Sequence, residues 1–346
     1  MPRALVTGGA GFFGGVLKQR LLADGFEVVC YDLVPDSASH PRLKSILGDL
    51  RDRELLEATM REGQFDAVFH CAAALAHGLH VDRDDIWTSN VDATRLLAEA
   101  ASRHGAPKFV FISTNCLWAQ NLGHPVSEDE PPQPVEIYGE SKWAAEKVLR
   151  EFEGRLNVTM LRCPTIIESG RLGLLAILFE FIQENKTVWV VGDGGNHYQF
   201  IFAGDLADAC LLALKAKGVN LFHVGSDHVP TIRETYEAVI RAAGSRSKVK
   251  SLPKWPTLGL MRFAHHLHLS PLGPYHYRMI AEDFVFDTRR VQRELGWKPT
   301  LTNSEMLERA YRYYAERRNE IHARENVSAH SKPAAMGLIR VLKWFS

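Results

Sequence analysis

Short apolar runs alternate with stretches of helical period almost from the start of the chain. Residues 3–7, 27–31, 66–71, 108–113 and 157–162 have the length and β-branched, aromatic content of buried strands. Between them, residues 12–24, 52–62, 83–104 and 138–153 repeat apolar positions at helical spacing. Strand–helix alternation of this kind predicts right-handed βαβ units and an α/β fold with a doubly wound parallel sheet. Beyond residue 165 the alternation loosens. Helices are predicted at 205–217, 231–243, 288–295 and 303–322, and a strand at 284–287, while 245–282 shows no clear period. Residues 1–165 therefore read as a cofactor-binding domain, and 166–322 as a smaller, interleaved C-terminal substrate-binding lobe. A linker, 323–333, leads to a short tail, 334–346. There Leu338, Val341, Leu342 and Phe345 share one helical face, with Arg340 and Lys343 opposite. Such a basic amphipathic helix suits a membrane interface or a partner protein.

The 346 residues carry 41 Lys+Arg against 41 Asp+Glu, for a formal net charge of +0. With 46% hydrophobic residues the chain has ample material for a core, which excludes disorder and a disulfide scaffold. Neutrality argues against a nucleic-acid partner, which a basic surplus would serve. Neutrality overall is nevertheless a cancellation. Residues 241–280 contain Arg241, Arg246, Lys248, Lys250, Lys254, Arg262 and Arg278 with no Asp or Glu, and 317–346 is also basic. Those stretches, with apolar residues in 252–280 and 334–346, suggest peripheral contact with an anionic membrane. The five cysteines (Cys30, Cys71, Cys116, Cys163, Cys210) show no C-x-x-C pair and read as reduced core thiols. His265, His266 and His268 have no carboxylate partner in their stretch and read as surface histidines, so no metal site is expected. No signal peptide and no membrane-spanning run is visible, which points to the cytoplasm, with contact on the inner face of the membrane.

Thr7-Gly8-Gly9-Ala10-Gly11-Phe12-Phe13-Gly14 follows the first strand and opens the first helix, with G-x-G-x-x-G at Gly9, Gly11 and Gly14. Glycines there permit a tight turn, close backbone approach to a pyrophosphate and close helix–strand contact. The helix N-terminus adds N–H groups and a positive dipole end. Asp32 closes the second strand eighteen residues after Gly14, where a carboxylate receives ribose hydroxyls and repels a 2′-phosphate. No Arg or Lys follows it directly, so the expected cofactor is NAD in preference to NADP.

Tyr138-Gly139-Glu140-Ser141-Lys142 sets a phenol and an amine at i and i+4, on one helix face. A neighbouring cation helps a phenol, which titrates near 10 unperturbed, to exchange protons at neutral pH. Phe109-Val110-Phe111-Ile112-Ser113-Thr114 is a buried strand ending in hydroxyls that can bond a substrate oxygen.

On these residues, together with Gly48-Asp49-Leu50, His70-Cys71-Ala72-Ala73, Asn90-Val91 and Leu295-Gly296-Trp297-Lys298-Pro299, the sequence resembles the extended short-chain dehydrogenase/reductases, also called the NAD-dependent epimerase/dehydratase family, over about residues 3–318. The resemblance implies a Rossmann fold. It makes Tyr138 the catalytic acid/base and gives Lys142 the task of lowering its pKa and holding the nicotinamide ribose. Thr114 would polarise the reacting oxygen. The implied cofactor set is Gly8, Gly11, Phe12, Phe13, Gly14, Asp32, Asp49, Leu50, Ala72, Asn90, Tyr138 and Lys142. The resemblance also implies a homodimer through 83–104 and 138–153.

Three departures bear on the branch. Asn115 and Cys116 stand where 4,6-dehydratases carry an acid and base, which argues against dehydration. Tyr198 stands where sugar-nucleotide epimerases usually carry an arginine for the diphosphate. Leu161-Arg162-Cys163-Pro164 and Glu168-Ser169-Gly170 alter a Leu-Arg-Pro…Gly-Pro-Gly stretch near the cofactor. The late segment (Pro274-Tyr275-His276-Tyr277-Arg278, Phe284 to Arg290, Leu295-Gly296-Trp297) looks like the 3β-hydroxysteroid dehydrogenase branch and its relatives that reduce long-chain 3-oxo lipids. The leading expectation is thus an NAD-dependent oxidoreductase interconverting ketone and secondary alcohol on a hydrophobic substrate: a 3-oxo lipid, a 3-oxo sphingoid or ceramide, or a sterol-like molecule. The alternative is a nucleotide-sugar 4-epimerase or reductase. A cofactor-loaded scaffold is disfavoured by the intact Thr114, Tyr138 and Lys142.

Overall fold

The computed structural model describes residues 1–75, 81–118, 121–173, 175–266 and 280–322. The predicted tail helix 334–346, the linker before it, His268 and Pro274 to Arg278 lie outside the described residues.

Strands β1 (Arg3–Thr7), β2 (Glu27–Asp32), β3 (Leu43–Leu47), β4 (Ala67–His70), β5 (Lys108–Thr114) and β6 (Asn157–Cys163) belong to one parallel sheet. Strands β7 (Thr165–Ile167), β8 (Val188–Val191) and β9 (Phe200–Phe202) leave it, and β10 (Val219–His223) rejoins it. The seven-stranded order is β10-β6-β5-β4-β1-β2-β3. Strand order reverses between β1 and β4, and a ligand crevice opens at the carboxyl ends there. The register aligns those ends: Thr7 pairs with His70, His70 with Phe111, and Thr114 with Cys163.

Each face of the sheet is covered. On one side Leu56, Leu97 and Leu149 come from α2 (Arg53–Gly63), α4 (Ala93–Arg103) and α5 (Ile137–Arg150), with the short α3 (Arg83–Trp87) preceding α4. On the other, Leu17 and Leu206 come from α1 (Phe12–Ala23) and α7 (Ala203–Ala213). A third cluster gathers Phe179 of α6 (Leu175–Gln183), Val239 of α8 (Ile232–Ala242) and Leu307 and Tyr314 of a late helix against Trp118, Phe284 and Phe286. Because β10 and α7 follow residue 165 yet complete the first layer, the two halves of the chain interleave.

Several elements differ from the sequence pattern. The helix predicted over 83–104 is interrupted by a π-helical turn, Thr88–Asp92. Within it the Asn90 amide bonds Ala74 in both directions, at 2.7 and 2.9 Å, and donates to Ser141 Oγ at 3.0 Å. One extra residue in a turn re-aims a side chain, and such turns are frequent at functional sites. Strand β3 escapes the pattern because it is a half-exposed edge with little apolar periodicity. The stretch 245–282, read as aperiodic, holds β11 (Val249–Leu252), paired to β8, and the helix α9 (Lys254–His266). Strand 284–287 is reduced to isolated bridges, Phe284 with Tyr198 and Phe286 with Val126. Helix 288–295 appears as α10 (Arg289–Leu295), and 303–322 divides at Arg317 into α11 (Asn303–Glu316) and α12 (Arg318–His322).

Beneath the crevice runs a buried polar chain. Glu146 on α5 accepts from Ser113 Oγ at 2.6 Å and takes a forked pair from Arg162, at 2.9 and 2.6 Å. His223 donates through Nδ1 to the Val126 carbonyl at 3.0 Å, which leaves Nε2 to accept from Arg162 at 3.3 Å. The Arg162 guanidinium also stacks 5.0 Å from the Trp118 ring. This chain ties β5, β6, β10 and α5 into one frame.

Candidate active site

The first wall is the glycine turn between β1 and α1. Gly8 adopts φ +70°, and a Cβ there would lie 2.7 Å from Ala72 Cα, on the loop after β4. A Cβ on Gly14 would lie 2.1 Å from the Gly8 carbonyl oxygen. Backbone blocks both, so neither position tolerates a side chain. Among the described residues no side chain caps α1, and its first turn holds no acid, so its first amides carry no side-chain bond. Asp32 accepts from the Ala10 and Val34 amides, at 2.9 and 3.2 Å, which locks its carboxylate against the turn. Nearby, Lys18 of α1 is consumed in a buried ion pair with Asp36, so it offers no free cation to a 2′-phosphate.

Asp49 and Leu50 follow β3. The Asp49 carboxylate is held by Arg51 at 2.6 Å, which also reaches Asp85 at 2.7 Å, and Leu50 packs into the core. Phe13 is buried, while Phe12 stays half-buried at the crevice.

His70 carries the order of this wall. Thr94 Oγ1 donates to the Asn90 carbonyl at 2.7 Å, so it must accept from His70 Nε2–H at 2.8 Å. Nδ1 then accepts from the Thr7 hydroxyl at 2.7 Å, and Thr7 in turn accepts from the Ala72 amide at 3.4 Å. One neutral tautomer satisfies every bond. Burial, aided by the charge of Lys142, pushes this imidazole down to about 3. Burial likewise holds His223 well below the ordinary histidine range. In the unfolded chain a histidine protonates near 6.5. Neutral His70 therefore stabilises fully above that pH, and its contribution is lost as pH falls from 6.5 towards about 3, by roughly 1.4 kcal/mol per unit, while His223 adds a loss in the same direction. Denaturant midpoints should fall steeply between pH 7 and 5, and less steeply in His70→Gln. An equal slope in both would refute the neutral state assigned to His70.

The second wall is the start of α5. Gly139 lies so close to the turn after β5 that a Cβ would sit 2.3 Å from the Cys116 carbonyl oxygen. That contact sets Tyr138 beside Thr114, whose hydroxyl accepts from Cys116 N at 3.1 Å and bonds the phenol. Burial raises the Tyr138 phenol far above its usual range, with Cys116 and Cys163 adding to it, while Thr114 and the charge of Arg171 oppose. Lys142 is almost fully buried, with its ammonium 3.8 Å above the Phe111 ring, and burial pulls it down to about 8 against the charge of Glu146. Among the described residues no hydrogen bond reaches Lys142 Nζ.

Arg171 was not anticipated. It follows directly on the altered Glu168-Ser169-Gly170 stretch. Its guanidinium lies 5.6 Å from the Phe12 ring and within electrostatic reach of Tyr138, Tyr198 and Cys163. No carboxylate pairs with it among the described residues, and burial pulls it down to about 10. Tyr198 is buried opposite, its hydroxyl bonded to Asn115 Nδ2 at 2.9 Å and Thr165 Oγ1 at 3.1 Å. The sequence signal was the missing arginine at 198, which left room for a cation from elsewhere.

The crevice thus joins an anion-ready helix terminus, a carboxylate beyond β2 and a hydroxyl–phenol pair. Comparison with known proteins decides the family: residues 4–225 match the profile described as the NAD dependent epimerase/dehydratase family. The chain belongs to that family. A relative from Sinorhizobium fredii, "Uncharacterized protein y4nG", is 35% identical over 343 residues, covering 99% of this chain and 85% of its own length. A UDP-glucose 4-epimerase of Mycolicibacterium smegmatis is 28% identical, covering 90% of this chain and 98% of the relative. A UDP-glucose 4-epimerase from Thermotoga maritima, solved with UDP-glucose, superposes with TM-score 0.75 at 22% identity, over 91% of this chain and 99% of that one. WbmG of Bordetella bronchiseptica, solved with NAD and UDP, gives 0.74 at 21%, over 90% and 94%. The solved structures establish the fold: the seven-stranded parallel sheet is that of this family.

An epimerase/dehydratase is an NAD-dependent enzyme, and the residues here fit that cofactor. The uncapped α1 terminus would suit a pyrophosphate and Asp32 ribose hydroxyls. The Asn90 amide is taken up by Ala74 and Ser141, so it shapes the wall of the site. Among the described residues no group of three or more His, Cys, Asp or Glu could hold a metal ion, and no helix is long and apolar enough to cross a membrane.

Proposed function

We propose that this chain is a nucleotide-sugar 4-epimerase that oxidises the sugar C4 hydroxyl and reduces the resulting ketone on its other face. When bound, NAD supplies the hydride acceptor and donor for the two halves. Tyr138 takes the hydroxyl proton in the first half and returns it in the second. Thr114 bonds the same oxygen, and Lys142 holds the ribose side of the cleft with a positive charge.

The observation that carries this reading is the Arg171 guanidinium beside Tyr138. A cation with no acid partner in a crevice calls for an anionic ligand. A nucleotide diphosphate brings that anion; a sterol or a long-chain 3-oxo lipid does not. The UDP-sugar 4-epimerase names of several relatives support the same choice. The hydrophobic-substrate expectation, drawn from the late segment, is correspondingly the weaker reading.

Incubation of the purified protein with UDP-glucose, UDP-galactose, UDP-xylose and UDP-arabinose, followed by proton NMR of the anomeric region, tests the proposal. Epimer pairs should interconvert without added cofactor or with catalytic NAD. No turnover of any nucleotide sugar would sink it. Arg171→Met should weaken UDP binding by roughly 10- to 100-fold, the worth of a charge-assisted bond, with NADH affinity kept. Calorimetric titration of both ligands reads the two affinities separately.

A further inference from the structure

Helix α9 presents apolar side chains on two sides. Its inner side is satisfied: Leu258 packs against Val191 and Ala281, with Met261 and Ile280 at the margin, and Ala264 is buried. At 100° per residue the opposite side carries Trp255, Gly259, Leu260 and Phe263. These are not covered. Trp255 is 78% exposed, Leu260 66% and Phe263 61%. Three large apolar side chains on one outward face form a patch of the kind that marks an interaction surface.

The surrounding charge identifies the partner. No Asp or Glu occurs between Glu237 and Glu282. Lys250 and Arg262 are exposed, and Lys254 opens the helix. A two-fold contact with a second copy across this face would bring Arg262 near its own counterpart, like charge near like. A lipid surface with anionic headgroups takes the aromatic and aliphatic side chains at the acyl boundary and the flanking cations at the headgroups.

We propose that the outer face of α9 seats this protein on an anionic membrane surface. The epimerase chemistry does not depend on that contact, so the two readings stand or fall separately.

Co-sedimentation of the full chain with vesicles tests it. Vesicles of phosphatidylglycerol and phosphatidylcholine in equal parts should bind the protein at least about tenfold better than pure phosphatidylcholine, with binding weakened by added salt. Trp255→Ser, Leu260→Ser and Phe263→Ser combined should abolish that gain, with NADH binding and the thermal midpoint kept. Should the triple change unsettle the helix, Arg262→Glu, on an exposed side chain, should still lower anionic binding several-fold. Equal binding to both vesicles, or an unaltered triple variant, overturns the proposal. So does a wild-type dimer in sedimentation velocity that the triple variant dissociates, since the face would then belong to a second copy.

Discussion

Tyr138→Phe should lower kcat by about 10²- to 10⁴-fold, the range of a positioned acid/base, with NADH binding and thermal stability close to those of the parent. The change deletes one oxygen and leaves the ring in place. That oxygen is where the site's proton chemistry converges: Thr114 bonds it, and the Arg171 charge acts on it against the upward pull of burial. A phenol held high keeps its proton at neutral pH, so it is ready to donate. Acceptance requires positive charge nearby, and Arg171 supplies some of it in the chain itself. Removing that charge should therefore lower turnover in Arg171→Met as well, because the phenol then gives up its proton still less readily. Stopped assays of epimer interconversion at neutral pH read both variants. Near-normal turnover in Tyr138→Phe would remove the phenol from the mechanism.

The parts of this site legible in the sequence are those fixed by local geometry. The turn from Thr7 to Gly14, Asp32 and the Tyr138–Lys142 spacing each follow from one element, and the structure sets them around one crevice. Arg171 could not be found that way. It lies in an irregular loop after β7, and its place depends on how the loop folds over Phe12 and Tyr198. Asn90 stood out in the sequence as a candidate, but its bonds to Ala74 and Ser141 did not, because a π turn is set by such side-chain bonds and not by apolar period. The same limit holds for the fold. The buried β1, β2, β4, β5 and β6 announce themselves as apolar runs, whereas the edge strand β3 has no such run. α9 was obscured because its apolar residues face both inward and outward.

Arg162→Met should cost about 3–5 kcal/mol of stability, the usual price of removing one partner from a buried charge pair. The Glu146 carboxylate would keep one bond, from Ser113 at 2.6 Å, in a position 1% exposed. His223 Nε2 would lose its donor as well. Pairing the change with Glu146→Leu should recover much of the loss, since an apolar pair of similar volume is often as stable as the ions it replaces. Denaturant unfolding of the three proteins measures this, and a single-variant cost below about 1 kcal/mol would mean the pair is solvated. The double variant also separates stability from chemistry. Glu146 lies one helical turn beyond Lys142, and its charge supports the ammonium, which burial has already brought down to about 8. A refolded double variant should thus be stable yet carry a Lys142 that loses its proton nearer neutrality. Its turnover should fall off at a lower pH than the parent's.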